Sequence, residues 1–214
     1  FGGMIRFDAP TKAYPAYIFD CDGTLADTMP LHLRAWNHGL ATAGAPLRID
    51  GRAFMSVAGM AQRQTIEHWN ETHSLQIDAE KVMVAKQAFF MSHQPEITPI
   101  EPVVAFARQC KERGAAVAVA SGGGRVDVLR TLSIIGLEGF FPVVVTADEV
   151  ARAKPAPDLF LAAAEQLGVA PADCLVLEDS PLGIEAANVA GMESVLLPNL
   201  LEEGGEPTAS PVDR

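Results

Sequence analysis

Apolar residues recur along the chain in two rhythms, short unbroken runs and longer helical stripes, and their order predicts the architecture. Tyr17-Ile18-Phe19 is a short run ending in Asp20-Cys21-Asp22-Gly23-Thr24, the pattern of a buried strand that delivers polar groups at its carboxyl end. A helix is expected next, with Pro30 in its first turn, Leu31, Ala35, Trp36 and Leu40 near helical spacing, and Gly44 and Pro46 closing it. From Ala53 to about His93 the pattern is helical, with no strand. Met55, Ile66 and Trp69 are its apolar positions, Asp78 is an N-cap, and Val82, Ala85 and Phe89 form one stripe between Ala79 and Met91. Pro95 and Pro99 break the pattern.

Beyond residue 100 helices and strands alternate: helix Pro102 to Arg113, strand Ala115 to Ala120, helix Arg125 to Ile135, strand Val143 to Val145, helix Pro157 to Leu167, strand Leu175 to Glu178, helix Leu182 to Ala190 and strand Ser194 to Leu197. Gly114, Gly136, Gly168 and Gly191 stop the four helices. The fold class is therefore α/β, a Rossmann-like parallel sheet covered on both faces by helices. One strand precedes the all-helical stretch and the rest follow it, so that stretch is an insert. The expected division is a discontinuous core of residues 4–27 and 99–205, a helical cap of residues 28–98 and a loose tail at 206–214. Asp20, Ser121, Glu178 and Asp179 would all emerge at the carboxyl ends of strands, where such sheets hold their sites.

Composition narrows the classes of function. The formal net charge is −11, with no compensating Lys/Arg cluster, which disfavours nucleic acid and anionic membrane surfaces as partners. No run approaches the ~18 apolar residues of a membrane span. Cys21, Cys110 and Cys174 are widely spaced and fit a reducing, cytoplasmic setting. Phe1-Gly2-Gly3 ahead of Met4 is read as an addition and set aside. With so acidic a surface, a phosphate site has to be built locally, from a metal, a Lys and backbone amides.

Side chains alternate along extended backbone, so Asp20 and Asp22 share a side while Cys21 points away. Two carboxylates ~4 Å apart repel by about 4 kcal/mol at an effective dielectric near 20, and a cation or shared proton is expected to relieve them. Mg2+ suits an all-oxygen set, and no zinc-type cluster is present. Gly23 permits a tight turn with inward amides, and Thr24 adds a hydroxyl or a cap. An EF-hand is excluded, because Leu25 and Leu31 stand where its Gly and Glu belong. Gly122-Gly123-Gly124-Arg125-Val126-Asp127 lacks the last Gly of a dinucleotide fingerprint, and Val119 stands where a nucleophile elbow needs Gly.

Asp20-Cys21-Asp22-Gly23-Thr24 resembles the DxDGT first motif of the haloacid dehalogenase superfamily. Ser121 closing Ala116-Val117-Ala118-Val119-Ala120 resembles its second motif, though a helix-capping Ser would look the same locally. Lys154-Pro155-Ala156-Pro157-Asp158 resembles the third, and Glu178-Asp179-Ser180-Pro181-Leu182-Gly183 the fourth. The four stand in order across the chain. The nearest likeness is to the small-capped sugar phosphatases and β-phosphoglucomutases, which His32-Leu33-Arg34-Ala35-Trp36 also resembles.

This resemblance implies a Mg2+-dependent phosphatase acting on a small phosphorylated metabolite, a sugar phosphate or sugar-acid phosphate, as a monomer or weak homodimer. Asp20 would be the nucleophile and form an aspartyl-phosphate, and Asp22, its pKa raised toward neutrality, would handle the proton. Asp20, the Asp22 carbonyl, Asp179 and Glu178 would hold Mg2+. Ser121, Gly122 and Lys154 would hold phosphoryl oxygens, with Gly23, Thr24, His32 and Arg63 as further phosphate or substrate contacts. The runner-up is a phosphosugar mutase. Against it, Gly122-Gly123-Gly124-Arg125 replaces an expected Lys region, and Gly59 falls near an expected cap Arg, leaving Arg63 a turn away and Arg125 as the other cation. A non-catalytic binding protein is disfavoured because no motif residue is missing, and a dehalogenase because it has no need of Asp22 or the paired acids.

Overall fold

The computed structural model describes residues 7–198; the tail at 206–214, the outermost residues assigned to the core and the Phe1-Gly2-Gly3 leader lie outside them. Its centre is a five-stranded parallel sheet in the order β3-β2-β1-β4-β5. The strands are β1 (Ala16–Phe19), β2 (Ala116–Ser121), β3 (Val143–Thr146), β4 (Cys174–Glu178) and β5 (Glu193–Leu196). β1 and β4 are buried at every position, which is why they read as unbroken apolar runs. Phe19, Val119 and Leu177 face one helical layer with Phe106, while Ile18, Ala118 and Val176 face the other with Leu159 and Phe160. Those layers hold α5 (Glu101–Glu112), α6 (Arg125–Ile134), α7 (Asp158–Leu167) and α8 (Pro181–Val189).

The insert comprises α1 (Met29–Thr42), α2 (Gly51–Met55), α3 (Gln62–His73) and α4 (Ala79–His93) around its own core, with Leu33, Trp36, Leu40, Phe54, Ile66 and Trp69 among its members. Trp36 and Trp69 meet edge to face at 5.1 Å. The helical stretch is broken between α2 and α3, and again between α3 and α4, ahead of the N-cap expected at Asp78. Ser74 adopts a left-handed conformation at the second break, and Asp78 then caps α4 by accepting from Lys81 N at 3.1 Å. The insert's two connections to the core run side by side. Asp27 N donates to Thr98 O at 2.9 Å and Ile100 N to Leu25 O at 2.8 Å.

The expected α4 stripe is displaced by one residue. The buried positions are Val82, Lys86 and Phe90, not Val82, Ala85 and Phe89. One residue turns a helix by about 100°, enough to bring the Lys86 side chain inward.

Candidate active site

β1 lies between β2 and β4, so their carboxyl ends converge on one edge of the sheet. Asp20 and Asp22 follow β1, Ser121 ends β2, Glu178 ends β4 with Asp179 behind it, and Lys154 comes from the loop before α7. All six line one cavity of about 140 Å³ roofed by the insert. Gly59 of the insert, at φ +92°, sits against the start of α8, where a β-carbon would lie 3.3 Å from Ser180 Oγ.

Lys154 is the hub. Its buried ammonium donates to Asp20 Oδ1 at 2.8 Å and to Glu178 Oε1, and it lies over the Phe160 ring. Burial pulls the Lys154 pKa down, but the two carboxylates outweigh it and hold it above its ordinary value. Glu178 Oε2 accepts from Ser180 N at 2.6 Å, and Ser180 Oγ caps α8 by accepting from Gly183 N at 3.1 Å. Burial raises the Asp20 pKa to about 7, with Glu178 and Asp22 adding to the rise and Lys154 opposing it.

Asp22 departs from expectation. Its pKa is lowered, not raised: burial pushes it up, yet the hydrogen-bonding and charge of His32 outweigh burial, helped by Thr28 and Lys86. His32 Nε2 lies 3.4 Å from Asp22 Oδ1, and its ring stacks on Phe90 of α4 at 4.3 Å. The expectation came from the proton-handling role that the resemblance implies for Asp22, whereas the insert brings His32 and Lys86 to bear on its carboxylate.

Ser121 is no helix cap. Gly124 occupies the N-cap of α6, and Ser121 Oγ instead accepts from Gly123 N at 3.1 Å beside the cavity. A β-carbon on Gly122 would meet nothing within 4 Å, so this loop leaves room for a ligand. Gly23 and Thr24 fall outside the cavity lining. The Gly23 amide donates to Ala26 O at 2.8 Å and Thr24 is wholly buried, because residues 21–26 fold back into a tight turn. Gly23 serves by close approach instead: at φ +76°, its missing side chain makes space for the Asp179 carboxylate.

The two arginines weighed as substrate contacts point elsewhere. Arg63 pairs with Glu80 at 3.2 Å on the outside of the insert and is 57% exposed. Arg125 donates to Val144 O at 3.0 Å and to Glu149. The cation that the sequence reading missed is Lys86, which lines the cavity 4.8 Å from the Trp36 ring centroid. Its signal was the spacing of four residues from Val82 and to Phe90, the buried face of α4.

The donor set fits a hard divalent cation. Asp20, Glu178 and Asp179 are buried and each offers a carboxylate oxygen within 4.8 Å of the others, with no Cys or His in the group.

A family model for the haloacid dehalogenase-like hydrolases matches residues 14–191, and the chain belongs to that family. It is 34% identical over 184 residues to fructose-1-phosphate phosphatase YqaB of Escherichia coli, covering 86% of this chain and 96% of that one. The crystal structure of CbbY from Rhodobacter sphaeroides in complex with xylulose-(1,5)bisphosphate superposes with a TM-score of 0.78 at 25% identity, covering 92% of each chain. β-Phosphoglucomutase of Clostridium difficile gives 0.73 at 28%, over 86% of this chain and 84% of that one. The family and its phosphatase relatives make this chain a phosphoric monoester hydrolase.

Proposed function

We propose that the enzyme is a Mg2+-dependent phosphatase that hydrolyses a small sugar phosphate or sugar-acid phosphate through an aspartyl-phosphate on Asp20. The observation that carries this reading is the buried Lys154 bridge between Asp20 and Glu178, with Asp22 and His32 across the same small cavity. A carboxylate fixed by a cation at the floor of a cavity is placed to attack phosphorus, and Lys154 can follow charge onto the transferring group.

In the first step an Asp20 carboxylate oxygen forms a bond to phosphorus as the phosphorus–oxygen bond to the leaving group breaks. The departing oxygen takes a proton from the Asp22–His32 pair. Asp22 is ionised in the empty cavity, and an arriving phosphate dianion raises its affinity for that proton. In the second step water attacks phosphorus, gives a proton to Asp22, and releases inorganic phosphate and Asp20. Ser121 and the Gly122 amide hold phosphoryl oxygens. Mg2+ would be held by Asp20, Asp179 and the Asp22 carbonyl, with Glu178 directly or through water. When bound it offsets the charge of the phosphoryl oxygens. The insert, residues 28–98, acts as the cap that excludes water and selects the leaving group.

The cavity volume favours a short leaving group, and a cytoplasmic enzyme, monomeric or weakly dimeric, suits such substrates. No described helix is long and apolar enough to cross a membrane. A mutase would need cations for a second phosphate; Arg63 and Arg125 are both engaged elsewhere, which leaves Lys86 as the cap cation in the cavity.

The test is a screen of sugar phosphates and phosphorylated sugar acids for released phosphate, with Mg2+ and with excess chelator. Metal-dependent release supports the reading, and full activity in chelator with no bound metal ends it. Glucose 1-phosphate with a trace of bisphosphate separates the alternatives, since isomer appearing faster than free phosphate would make the enzyme a mutase.

A further inference from the structure

The cap helix α4 meets the core through a polar contact beside the catalytic glycine loop. Gln87 Nε2 donates to Asp127 Oδ2 at 2.6 Å, and Asp127 stands in the first turn of α6, directly after Gly122–Gly124. Further along the same helix direction, the buried Gln94 reaches the Asp127 carbonyl at 3.4 Å and Thr131 Oγ1 at 3.5 Å.

What α4 carries makes this contact consequential. Lys86 precedes Gln87 and faces the cavity, held by the fields of both Asp22 and Asp127. Phe90, one turn on, stacks on His32, whose Nε2 is the group 3.4 Å from Asp22. Both cap side chains that act on Asp22, Lys86 on α4 and His32 stacked against it, therefore take their placement from α4. A carboxylate early in α6 would also favour the helix dipole with no partner at all. The short bond to Gln87, across from cap to core, is what that simpler role leaves unexplained.

We propose that Asp127 is a positioning residue for the hydrolytic reaction: by accepting Gln87 it fixes α4 against the core, and so sets Lys86 and His32 against Asp22. The inference rests on the phosphatase reading for its kinetic consequences, but its structural half stands apart from it.

The test compares the parent with Gln87→Ala, Asp127→Ala, the double variant and Asp127→Asn, whose side-chain oxygen still accepts from Gln87. Two readouts are taken in Mg2+. One is kcat and KM for phosphate release from fructose 1-phosphate. The other is acrylamide quenching of Trp36, which lines the cavity, in a Trp69→Phe background. Each Ala variant is expected to lower kcat/KM by roughly tenfold, the double variant to be no worse than either, and Asn to recover most of the loss. Quenching of Trp36 should rise in the Ala variants and return with Asn. A helix-dipole role alone predicts that Asn behaves like Ala, that Gln87→Ala is silent, and that only melting temperature moves; that outcome, or additive losses, overturns the proposal. If the parent releases no phosphate from fructose 1-phosphate or from p-nitrophenyl phosphate, the phosphatase reading fails. The quenching comparison then decides whether Asp127 fixes α4, and unchanged quenching in both Ala variants overturns it.

Discussion

Gly183 and Glu178 occupy what would otherwise be the same space. A β-carbon on Gly183 would fall 2.6 Å from Glu178 Cγ, with Cδ and Oε1 closer still. Glu178 cannot step aside, because one oxygen is held by Lys154 and the other by Ser180 N. The glycine of the fourth motif is thus explained by a neighbour rather than by its own backbone. Gly23 stands in the same relation to Asp179.

Gly183→Ala should therefore damage the site from a position that touches no substrate. Overpacking of this kind costs about 1–3 kcal/mol, and displacement of Glu178 loosens Lys154 from Asp20. The expected outcome is a lower melting temperature together with a loss of at least roughly tenfold in kcat. Thermal unfolding and phosphate release measured side by side check it; an unchanged melting temperature would mean that Glu178 can move.

Asp20→Asn should abolish turnover and leave the fold intact, since an amide does not attack phosphorus. It also removes a carboxylate that burial disfavours in its charged form. Circular dichroism and phosphate release are the measurements, and a folded variant keeping more than a few per cent of the parent rate would defeat the covalent mechanism.

His32 and Arg63 were grouped together as cap contacts to substrate, and the structure separates them. His32→Ala should lower kcat/KM and change relative preference among sugar phosphates, because it removes a partner of Asp22. It should also move the acid limb of phospho-enzyme hydrolysis, the step in which Asp22 is the base, upward in pH: without His32, burial is opposed less, the Asp22 pKa rises, and a base of higher pKa is lost to protonation at higher pH. Arg63→Ala, facing solvent and Glu80, should leave kcat/KM within roughly twofold. Equal effects of the two variants would place the working face of the cap elsewhere.

The contrast between these residues shows where sequence reading succeeds. Asp20, Ser121, Glu178 and Asp179 were legible because each sits at or beside the carboxyl end of an apolar strand, and a parallel sheet brings those ends together whatever the helices do, whereas Lys154, in the loop before α7, was legible only from its motif and its place in order between Ser121 and the acids. Cap residues carry no such constraint. A helix face changes with one residue of rotation, so Ala85 and Phe89 were expected where Lys86 and Phe90 are buried. The charge state of Asp22 is further removed from the sequence, since it depends on His32 and Lys86 arriving from another part of the fold. Thr24 was misplaced for a local reason: its motif was read as a cradle, while the turn's amides close on Cys21 and Ala26.

Lys86 offers the sharpest test of how the cap trades stability for function. Burial pushes its pKa down to about 8, against the opposing fields of Asp22 and Asp127. Between that value and the ordinary 10.5 the unfolded chain binds more protons than the folded one, so the parent gains stability as pH rises through this window. Below about pH 8 the folded protein carries the full cost of a buried ammonium, ~1.4 kcal/mol for each pKa unit of the shift. Lys86→Met keeps the length of the side chain and its packing on Trp36 while removing the charge. It is expected to melt above the parent at pH 7, with the difference closing toward pH 10.5, and to lower kcat/KM for sugar phosphates at the same time. Thermal unfolding across that pH range gives the first half and kinetics the second. A Met variant that is less stable at pH 7, or whose melting curve runs parallel to the parent's, would show that Asp22 and Asp127 more than offset the burial of this ammonium, and Lys86 would then be a stabilising ion rather than a functional one held at a cost.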